Sequence, residues 1–267
     1  MFASVSPLVV EETTFSLDLV AALAQNRALA ARFPGYCSPE ICAHVLERMS
    51  DMVGEGYADE PTFKKMIGGA VYDAASDPRL IAYYLESAAY WQDQCRRTLS
   101  PYLNPADRLR YELDSIWPKG CRIEQFRGRD SFFGLIRAFD LNAEARPHQD
   151  MTHWDIPNVP EAQNMMTQLS CVIYFSCSNQ GGELELWDRG YTNVEDYERS
   201  KVPGDYSIDR KHIGEPVAVL RPQVGEMIVF NARNLHAVRR NESGERRCTQ
   251  SMFISFRGID TYLGLFS

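Results

Sequence analysis

The chain has 267 residues, of which 45% are hydrophobic and 24% charged, and these fractions are ordinary for a globular protein. The formal net charge of −8 and the lack of a basic block argue against a nucleic-acid-binding surface, because phosphate binding depends on clustered Lys and Arg. Seven scattered cysteines without a CxxC pair indicate free thiols in a reducing compartment. With no apolar run of about 18 residues and no basic, apolar leader, we expect a cytoplasmic protein without a membrane span.

The first 120 residues are predicted to be mostly helical. Segments 38–52, 77–99 and 104–117 place apolar residues at helical spacing, and Ser38 and Asn104 are typical N-cap residues followed by proline. We interpret the aromatic and aliphatic stripes of these segments as packing surfaces rather than as a cofactor site.

After residue 120, short runs of β-forming residues alternate with turns. They predict eight strands, near 121–126, 132–139, 168–176, 182–187, 216–221, 226–231, 235–240 and 247–256. We therefore predict an α+β, mainly β fold: a double-stranded β-helix (a cupin-like jelly roll) with the N-terminal helices packed on one sheet. The polar segment 188–215 is too long for a turn and is interpreted as an insertion that covers a site. We expect residues 1–267 to form one domain, with 1–120 supporting a jelly-roll core at 121–256.

The segment RPHQDMTHWD concentrates imidazoles and carboxylates. His148 and Asp150 lie two positions apart at the end of a β-type region, and residues i and i+2 of an extended backbone point the same way. Far downstream, His236 begins another predicted strand. Two imidazoles and one carboxylate on one face of a metal ion are typical of non-haem Fe(II) oxygenases. From the pattern alone, a polar surface turn and a hydrogen-bonded core histidine remain alternatives. Two further groups of the segment do not match the motif and are not expected to be ligands: His153 and Asp155.

Two basic residues, Arg246 and Arg247, enter the last predicted strand after the downstream histidine. A guanidinium in a buried strand needs an anion, because it stays charged and binds a carboxylate bidentately. The distal carboxylate of a bound 2-oxo acid is one such anion.

Together these segments resemble the Fe(II)- and 2-oxoglutarate-dependent oxygenases, in the prolyl-4-hydroxylase-like branch, and among them the small free-standing members that tailor natural products. The resemblance covers roughly residues 30–256 and rests on FPGYCSPEICAHVL, RPHQD, QLSCVIYFSC with GGELELWD, and VGEMIVFNARNLHAV with GERRCT. It implies iron ligands at His148, Asp150 and His236, with Fe(II), 2-oxoglutarate and O2 as the reacting set and ascorbate as an aid in vitro. Chlorinating relatives carry Gly or Ala in place of the metal carboxylate, so the aspartate implies hydroxylation or a related oxidation.

The resemblance also implies a residue for the 2-oxoglutarate carboxylate. Arg247 is favoured because relatives often carry a hydroxyl residue two positions on, which Thr249 supplies; Arg246 keeps the common Gly-x-Arg spacing and stays the alternative. Phe139 stands where relatives often place a Tyr, so another group must supply that hydroxyl. Candidate substrate contacts are Trp154, Phe139 and Arg137, with packing as the alternative for the tryptophan and a surface ion pair for the arginine.

The expected function is oxidation of an unactivated C–H bond of a small molecule, by hydroxylation, desaturation, cyclisation or rearrangement, in natural-product biosynthesis. One alternative is a peptidyl, prolyl or amino-acid hydroxylase, and for a peptide substrate we expect an open groove. The other is a non-catalytic cupin-like metal-binding module, which would not turn over 2-oxoglutarate. No nucleic-acid or membrane partner is expected, and the pattern leaves the oligomeric state open.

Overall fold

The helices begin where the sequence supplies capping side chains. The structure is a computed structural model that describes residues 8–57, 60–77 and 79–267. Ser16, Ser38 and Asn104 each accept a hydrogen bond from a backbone N–H of the first helical turn, which satisfies a donor that the helix leaves free. The helices are α1 Leu17–Ala24, α2 Pro39–Met49, α3 Asp73–Ser76, α4 Leu80–Leu99, α5 Pro105–Ile116, α6 Thr152–Asp155, α7 Pro160–Gln163 and α8 Val194–Ser200.

The three predicted helices correspond to α2, α4 and α5. The predicted segment 77–99 includes Pro78, which lies outside the described residues, and α4 begins at Leu80. The start of the chain, where a leader would lie, falls largely on residues 1–7, which are likewise outside them. Within the part of the chain that the structure describes, no helix has the length and apolar character needed to cross a membrane.

The strands form two larger sheets and one two-stranded ribbon. In chain order they are β1 Leu8–Glu11, β2 Ala28–Phe33, β3 Glu55–Gly56, β4 Phe63–Ile67, β5 Cys121–Ile123, β6 Gln125–Phe126, β7 Arg129–Asp130, β8 Leu135–Phe139, β9 Ala145–His148, β10 Thr167–Tyr174, β11 Leu184–Leu186, β12 Ala218–Leu220, β13 Met227–Asn231, β14 His236–Val238, β15 Arg247–Phe256 and β16 Leu263–Phe266.

Eight consecutive strands, β8 to β15, build the jelly roll. The order β13-β10-β15-β8 forms the centre of the large sheet, and β12-β11-β14-β9 forms the small sheet. The neighbours within both sets are antiparallel. Because the chain passes repeatedly from one sheet to the other, the predicted double-stranded β-helix is confirmed.

Two features of the sheets differ from the sequence prediction. The predicted strand near 121–126 lies outside the roll: it divides into β5 and β6, and β5 pairs in parallel with the C-terminal strand β16. The missing strand of the roll is β9, which the pattern conceals because Pro147 interrupts it; proline is tolerated here since β9 is the edge strand of the small sheet. In addition, β1 and β2 extend the large sheet at one side and β4 and β3 at the other, so the first 120 residues are less purely helical than predicted.

Two hydrophobic clusters hold these layers together. The larger one joins α1, α2, α4 and α5 to the large sheet, with Val45 and Leu109 fully buried. The second lies between the two sheets, where Leu184 and Leu186 of the small sheet meet Ile228 and Phe230 of the large one. All seven cysteines are free, as predicted. The helices thus support one sheet, and the space between the two sheets is left for a site.

Candidate active site

Three predicted ligand residues meet at one end of the small sheet. His148 of β9 and His236 of β14 are paired directly across the two strands. Asp150 follows β9, and its backbone N–H donates to the Ala232 carbonyl at 2.8 Å. The Nε2 atom of His236 lies 3.3 Å from Asp150 Oδ2, and that of His148 lies 3.8 Å from Oδ1. With all three ligand atoms within 4.8 Å of one another, this group can hold a metal ion.

Hydrogen bonds orient both imidazoles. Nδ1 of His148 lies 2.7 Å from the Arg146 carbonyl, and Nδ1 of His236 lies 3.0 Å from the Asn234 carbonyl. Because a carbonyl can only accept, each Nδ1 carries the proton and donates it. Each Nε2 is therefore the ring nitrogen left for a metal ion, which is the arrangement that metal-binding histidines adopt.

The protonation states also suit a cation. Burial and the neighbouring His236 lower the pKa of His148 to about 4. Burial opposes ionisation of Asp150, but the hydrogen bond and charge of His236 outweigh it and lower the pKa of this carboxyl. Near neutral pH the site therefore offers a neutral imidazole at His148 and a carboxylate at Asp150, the forms that bind metals.

Arg247 lies in the same cavity, and no carboxylate of the described residues forms an ion pair with it. It begins β15 opposite Phe139 of β8 and is 2% exposed. Its guanidinium carbon lies 4.3 Å from the centroid of the Phe139 ring and 5.0 Å from that of Tyr174. Nε and Nη1 are buried and have no hydrogen-bond partner among the described residues. Such a fork of unused donors matches a carboxylate.

The neighbouring arginine is engaged elsewhere. Nε of Arg246 donates to Asp140 Oδ1 at 2.7 Å, and its side chain is partly exposed. Lys64 binds the other oxygen of the same carboxylate at 2.5 Å. Arg246 does not line the cavity, whereas Arg247 and Thr249 do. The geometry therefore favours Arg247 for an anionic cosubstrate.

Tyr174 is a site residue that the sequence reasoning missed. It ends β10 directly opposite Thr249 of β15, lines the cavity and is fully buried. Its hydroxyl has no hydrogen-bond partner among the described residues. Burial raises its pKa although Arg247 opposes the shift, so the hydroxyl remains a donor. It can supply the hydroxyl that Phe139 lacks.

The cavity between the sheets has a volume of about 520 Å³. The three predicted substrate-contact residues, Trp154, Phe139 and Arg137, line this cavity, and their contact with a substrate stays a prediction. Trp154 also packs against Tyr197, with ring centroids 5.5 Å apart. Arg137 forms no ion pair within the described ranges, and its Nε and Nη1 donate to the hydroxyls of Tyr57 and Ser251 instead. Asp155, which is not expected to be a metal ligand, also lines the cavity. Burial and the charge of Asp150 raise its pKa to about 8.

Residues of the predicted insertion line one side of this cavity. Helix α8 contributes Tyr197 to the lining, and Tyr206 follows it there. The insertion is bound to the ligand-bearing strand: Ile208 N–H donates to the Pro147 carbonyl at 2.7 Å, and Arg146 N–H donates to the Tyr206 hydroxyl at 2.9 Å. The covering segment and the strand that carries the first histidine are therefore directly connected.

A family model, described as the 2OG-Fe(II) oxygenase superfamily, matches residues 135–255, from the start of β8 almost to the end of β15. The part of the chain from β8 to β15 belongs to this superfamily. The oxygenase is 23% identical over 187 residues, 68% of each chain, to L-gamma-glutamyl-L-propargylglycine hydroxylase of Streptantibioticus cattleyicolor. It is 32% identical over 155 residues to Leucinostatins biosynthesis cluster protein S of Purpureocillium lilacinum, covering 56% of this chain and 62% of that protein.

A solved structure shares the fold of the oxygenase. The N-substituted L-amino acid dioxygenase from Burkholderia ambifaria, in complex with alpha-KG, superimposes with a TM-score of 0.61 at 16% identity and covers 94% of this chain and 90% of that one. The family match over residues 135–255 and the metal-binding group within it together support an Fe(II)- and 2-oxoglutarate-dependent dioxygenase that uses O2.

Proposed function

We propose that the oxygenase hydroxylates, or otherwise oxidises, an unactivated C–H bond of a small molecule in natural-product biosynthesis. The observation that carries this proposal is that three potential metal ligands and an unpartnered buried guanidinium share one cavity of about 520 Å³. The names of the two relatives, a hydroxylase and a protein of a biosynthesis cluster, support the pathway class.

We assign His148, Asp150 and His236 as iron ligands, and Arg247 with the Tyr174 hydroxyl as the site of the distal 2-oxoglutarate carboxylate. Thr249, opposite Tyr174, is the predicted hydroxyl partner. When bound, Fe(II) and 2-oxoglutarate supply the oxidising chemistry with O2, releasing succinate and carbon dioxide. The unpartnered donors of Arg247 and Tyr174 fit this cosubstrate because a carboxylate satisfies both.

The protein residues orient the reactants and exclude water. The backbone carbonyls of Arg146 and Asn234 keep each Nδ1 protonated, so that both Nε2 atoms stay available. Phe139 stacks on the guanidinium of Arg247 and thereby limits its motion. The insertion bounds one side of the cavity, which supports a small molecule over a peptide side chain presented in an open groove.

We also infer that residues 1–267 act as one domain. The larger hydrophobic cluster contains Phe15 near one end of the chain and Phe266 near the other, together with side chains of α2, α4 and α5. A single continuous core of this kind supports cooperative folding rather than two independent units.

Turnover of 2-oxoglutarate tests the proposed function. The purified protein is supplied with Fe(II), ascorbate, O2 and a metabolite extract, and we expect succinate release together with a product heavier than its precursor by one oxygen atom. His148→Ala and Asp150→Ala should each abolish both signals and reduce bound iron. His153→Ala is the matched control, since this nearby histidine is not part of the ligand group. Full turnover in both ligand variants would contradict the proposal.

A further inference from the structure

Arg137 places a second positive charge in the cavity. It lies on β8 opposite Thr249, and its guanidinium carbon is 5.8 Å from the Tyr57 ring centroid and 5.6 Å from that of Phe63. Nε donates to the Tyr57 hydroxyl at 3.0 Å, and Nη1 donates to Ser251 Oγ at 2.9 Å. Both partners are neutral, and burial raises the pKa of Tyr57 further from ionisation. The guanidinium of Arg137 is therefore held in place by neutral partners, without a carboxylate hydrogen-bonded to it among the described residues.

Five carboxylates line the same cavity, those of Glu60, Asp73, Asp150, Asp155 and Glu198, and none of them forms an ion pair with Arg137 among the described residues. Asp73 pairs with Lys65 at 2.8 Å, Glu198 pairs with Lys201 at 2.6 Å, and Glu60 accepts a hydrogen bond from Thr62. Asp150 belongs to the ligand group. The charge of Arg137 helps to lower the pKa of Asp150, but a direct ion pair with the guanidinium is left for a bound molecule.

The cosubstrate does not account for this charge. In the register of β15 and β8, Arg247 lies opposite Phe139. Arg137 lies two residues before Phe139, on the same face of β8. The backbones of the two arginines are therefore offset by about 7 Å along the sheet. Arg247 and Tyr174 already offer unpartnered donors for one distal carboxylate. The cavity thus provides a second, separate anion site.

A buried amide indicates a second polar group on the ligand. Gln168 of β10 lines the cavity and is 2% exposed. Its Oε1 accepts from Thr152 Oγ1 at 2.6 Å and from Thr152 N at 3.3 Å, which fixes the orientation of the amide because the backbone N–H can only donate. Its Nε2 has no partner among the described residues. This nitrogen is a free donor for a carbonyl oxygen.

We propose that the substrate is an N-acylated amino acid or a short peptide-like acid, whose carboxylate binds Arg137 and whose amide carbonyl accepts from Gln168 Nε2. Apolar side chains of both sheets, Val172 and Phe230 from the large one and Leu184 and Val238 from the small one, surround the rest of the cavity and suit an aliphatic side chain. This inference rests on the proposed function.

Calorimetry without oxygen tests the inference, because Fe(II) and 2-oxoglutarate can then be bound without turnover. The probes are N-acetyl-L-leucine, N-acetyl-L-valine and L-alanyl-L-leucine, each as the free acid and as the C-terminal carboxamide. We expect at least one acid to bind wild-type protein about 10- to 100-fold more tightly than its carboxamide, the range expected for a charged hydrogen-bonded pair.

Variants of Arg137 and Gln168 test which group of the probe each side chain contacts. Arg137→Gln should weaken binding of the acid by the same factor and abolish the difference between acid and carboxamide, while the Kd for 2-oxoglutarate stays within about twofold. Arg129→Gln is the charge-matched control, since this exposed arginine lies outside the cavity and pairs with Glu86 at 3.5 Å. Gln168→Met should weaken N-acetyl-L-leucine but not 4-methylpentanoic acid, which has the carboxylate and lacks the amide.

Three results would overturn the inference: equal binding of acids and carboxamides, no binding of any acid, or a loss of 2-oxoglutarate affinity in Arg137→Gln as large as the loss for the acid. If Arg137→Gln does not fold, the inference is tested by comparing the Kd values of acid and carboxamide for the wild-type protein and for Arg137→Lys. Failure of the metal-loaded wild-type protein to bind 2-oxoglutarate would instead refute the proposed function.

Discussion

Replacement of Arg247 by methionine should weaken 2-oxoglutarate binding and at the same time stabilise the ligand-free protein. The guanidinium is 2% exposed, and two of its nitrogens have no hydrogen-bond partner among the described residues. A buried unpaired donor costs about 1–3 kcal/mol. The cation–π contacts with the rings of Phe139 and Tyr174 offset part of this cost, by about 0.5–2 kcal/mol each.

The net effect on the ligand-free protein is an increase in the free energy of unfolding of about 1–2 kcal/mol, because methionine fills similar space without a charge. For the bound state the sign reverses. Loss of one partner of a buried charge pair costs about 3–5 kcal/mol, which raises the Kd for 2-oxoglutarate by about 150- to 5,000-fold. The same residue thus opposes folding and promotes binding.

Urea unfolding of the ligand-free protein and calorimetric titration with 2-oxoglutarate measure the two effects. Arg246→Met is the matched control: its ion pair with Asp140 is partly exposed, so we expect the Kd to change by less than about twofold. The reasoning is refuted if Arg247→Met destabilises the ligand-free protein and binds 2-oxoglutarate like wild type. A larger loss of affinity in Arg246→Met would reverse the assignment of the two arginines.

Three further predictions concern other buried groups. Tyr174→Phe should raise the Kd for 2-oxoglutarate by about 10-fold, the value of one hydrogen bond to a carboxylate, and calorimetry showing no change would exclude the hydroxyl as a donor. Arg257→Met should lower the free energy of unfolding in urea by about 3–5 kcal/mol, because the fully buried Glu124 carboxylate loses the guanidinium that lies 2.9 Å from it. The double variant Arg257→Met with Glu124→Gln should recover most of the loss. The pKa of Asp155 is raised from 3.8 to about 8 in the folded protein, so this group should lower the stability of metal-free protein as the pH rises through that range. Asp155→Asn should remove that part of the slope, and identical pH profiles of urea unfolding would contradict it.

The metal-binding group could be predicted because its signals are local or chemically specific. His148 and Asp150 share a face through backbone geometry alone, and few structural roles require that pair together with a distant histidine at a strand start. The sequence also ranked Arg247 above Arg246, and the structure supplies a physical reason: only Arg247 lines the cavity.

Other features could not be predicted because they depend on distant partners. Tyr174 ends the run QLSCVIY, whose strand is buried on both faces, so alternation does not show which side chains reach the cavity. β2 reads ALAARF, which has no strong strand preference, and it is extended because it pairs with β13 on one side and β1 on the other. The free donor of Gln168 is its Nε2. It can be identified only from the tertiary structure, in which Thr152 donates a hydrogen bond to Gln168 Oε1.

The connection between the insertion and β9 limits how this enzyme can change its substrate. As an edge strand, β9 has a neighbouring strand on one side only, and Ile208 and Tyr206 of the insertion provide hydrogen bonds on the other. Mutations that reshape the cover for a larger molecule also act on the strand that carries His148. Diversification of specificity in this scaffold is therefore constrained by retention of the metal, and residues on the large-sheet wall, such as Arg137, can vary more independently.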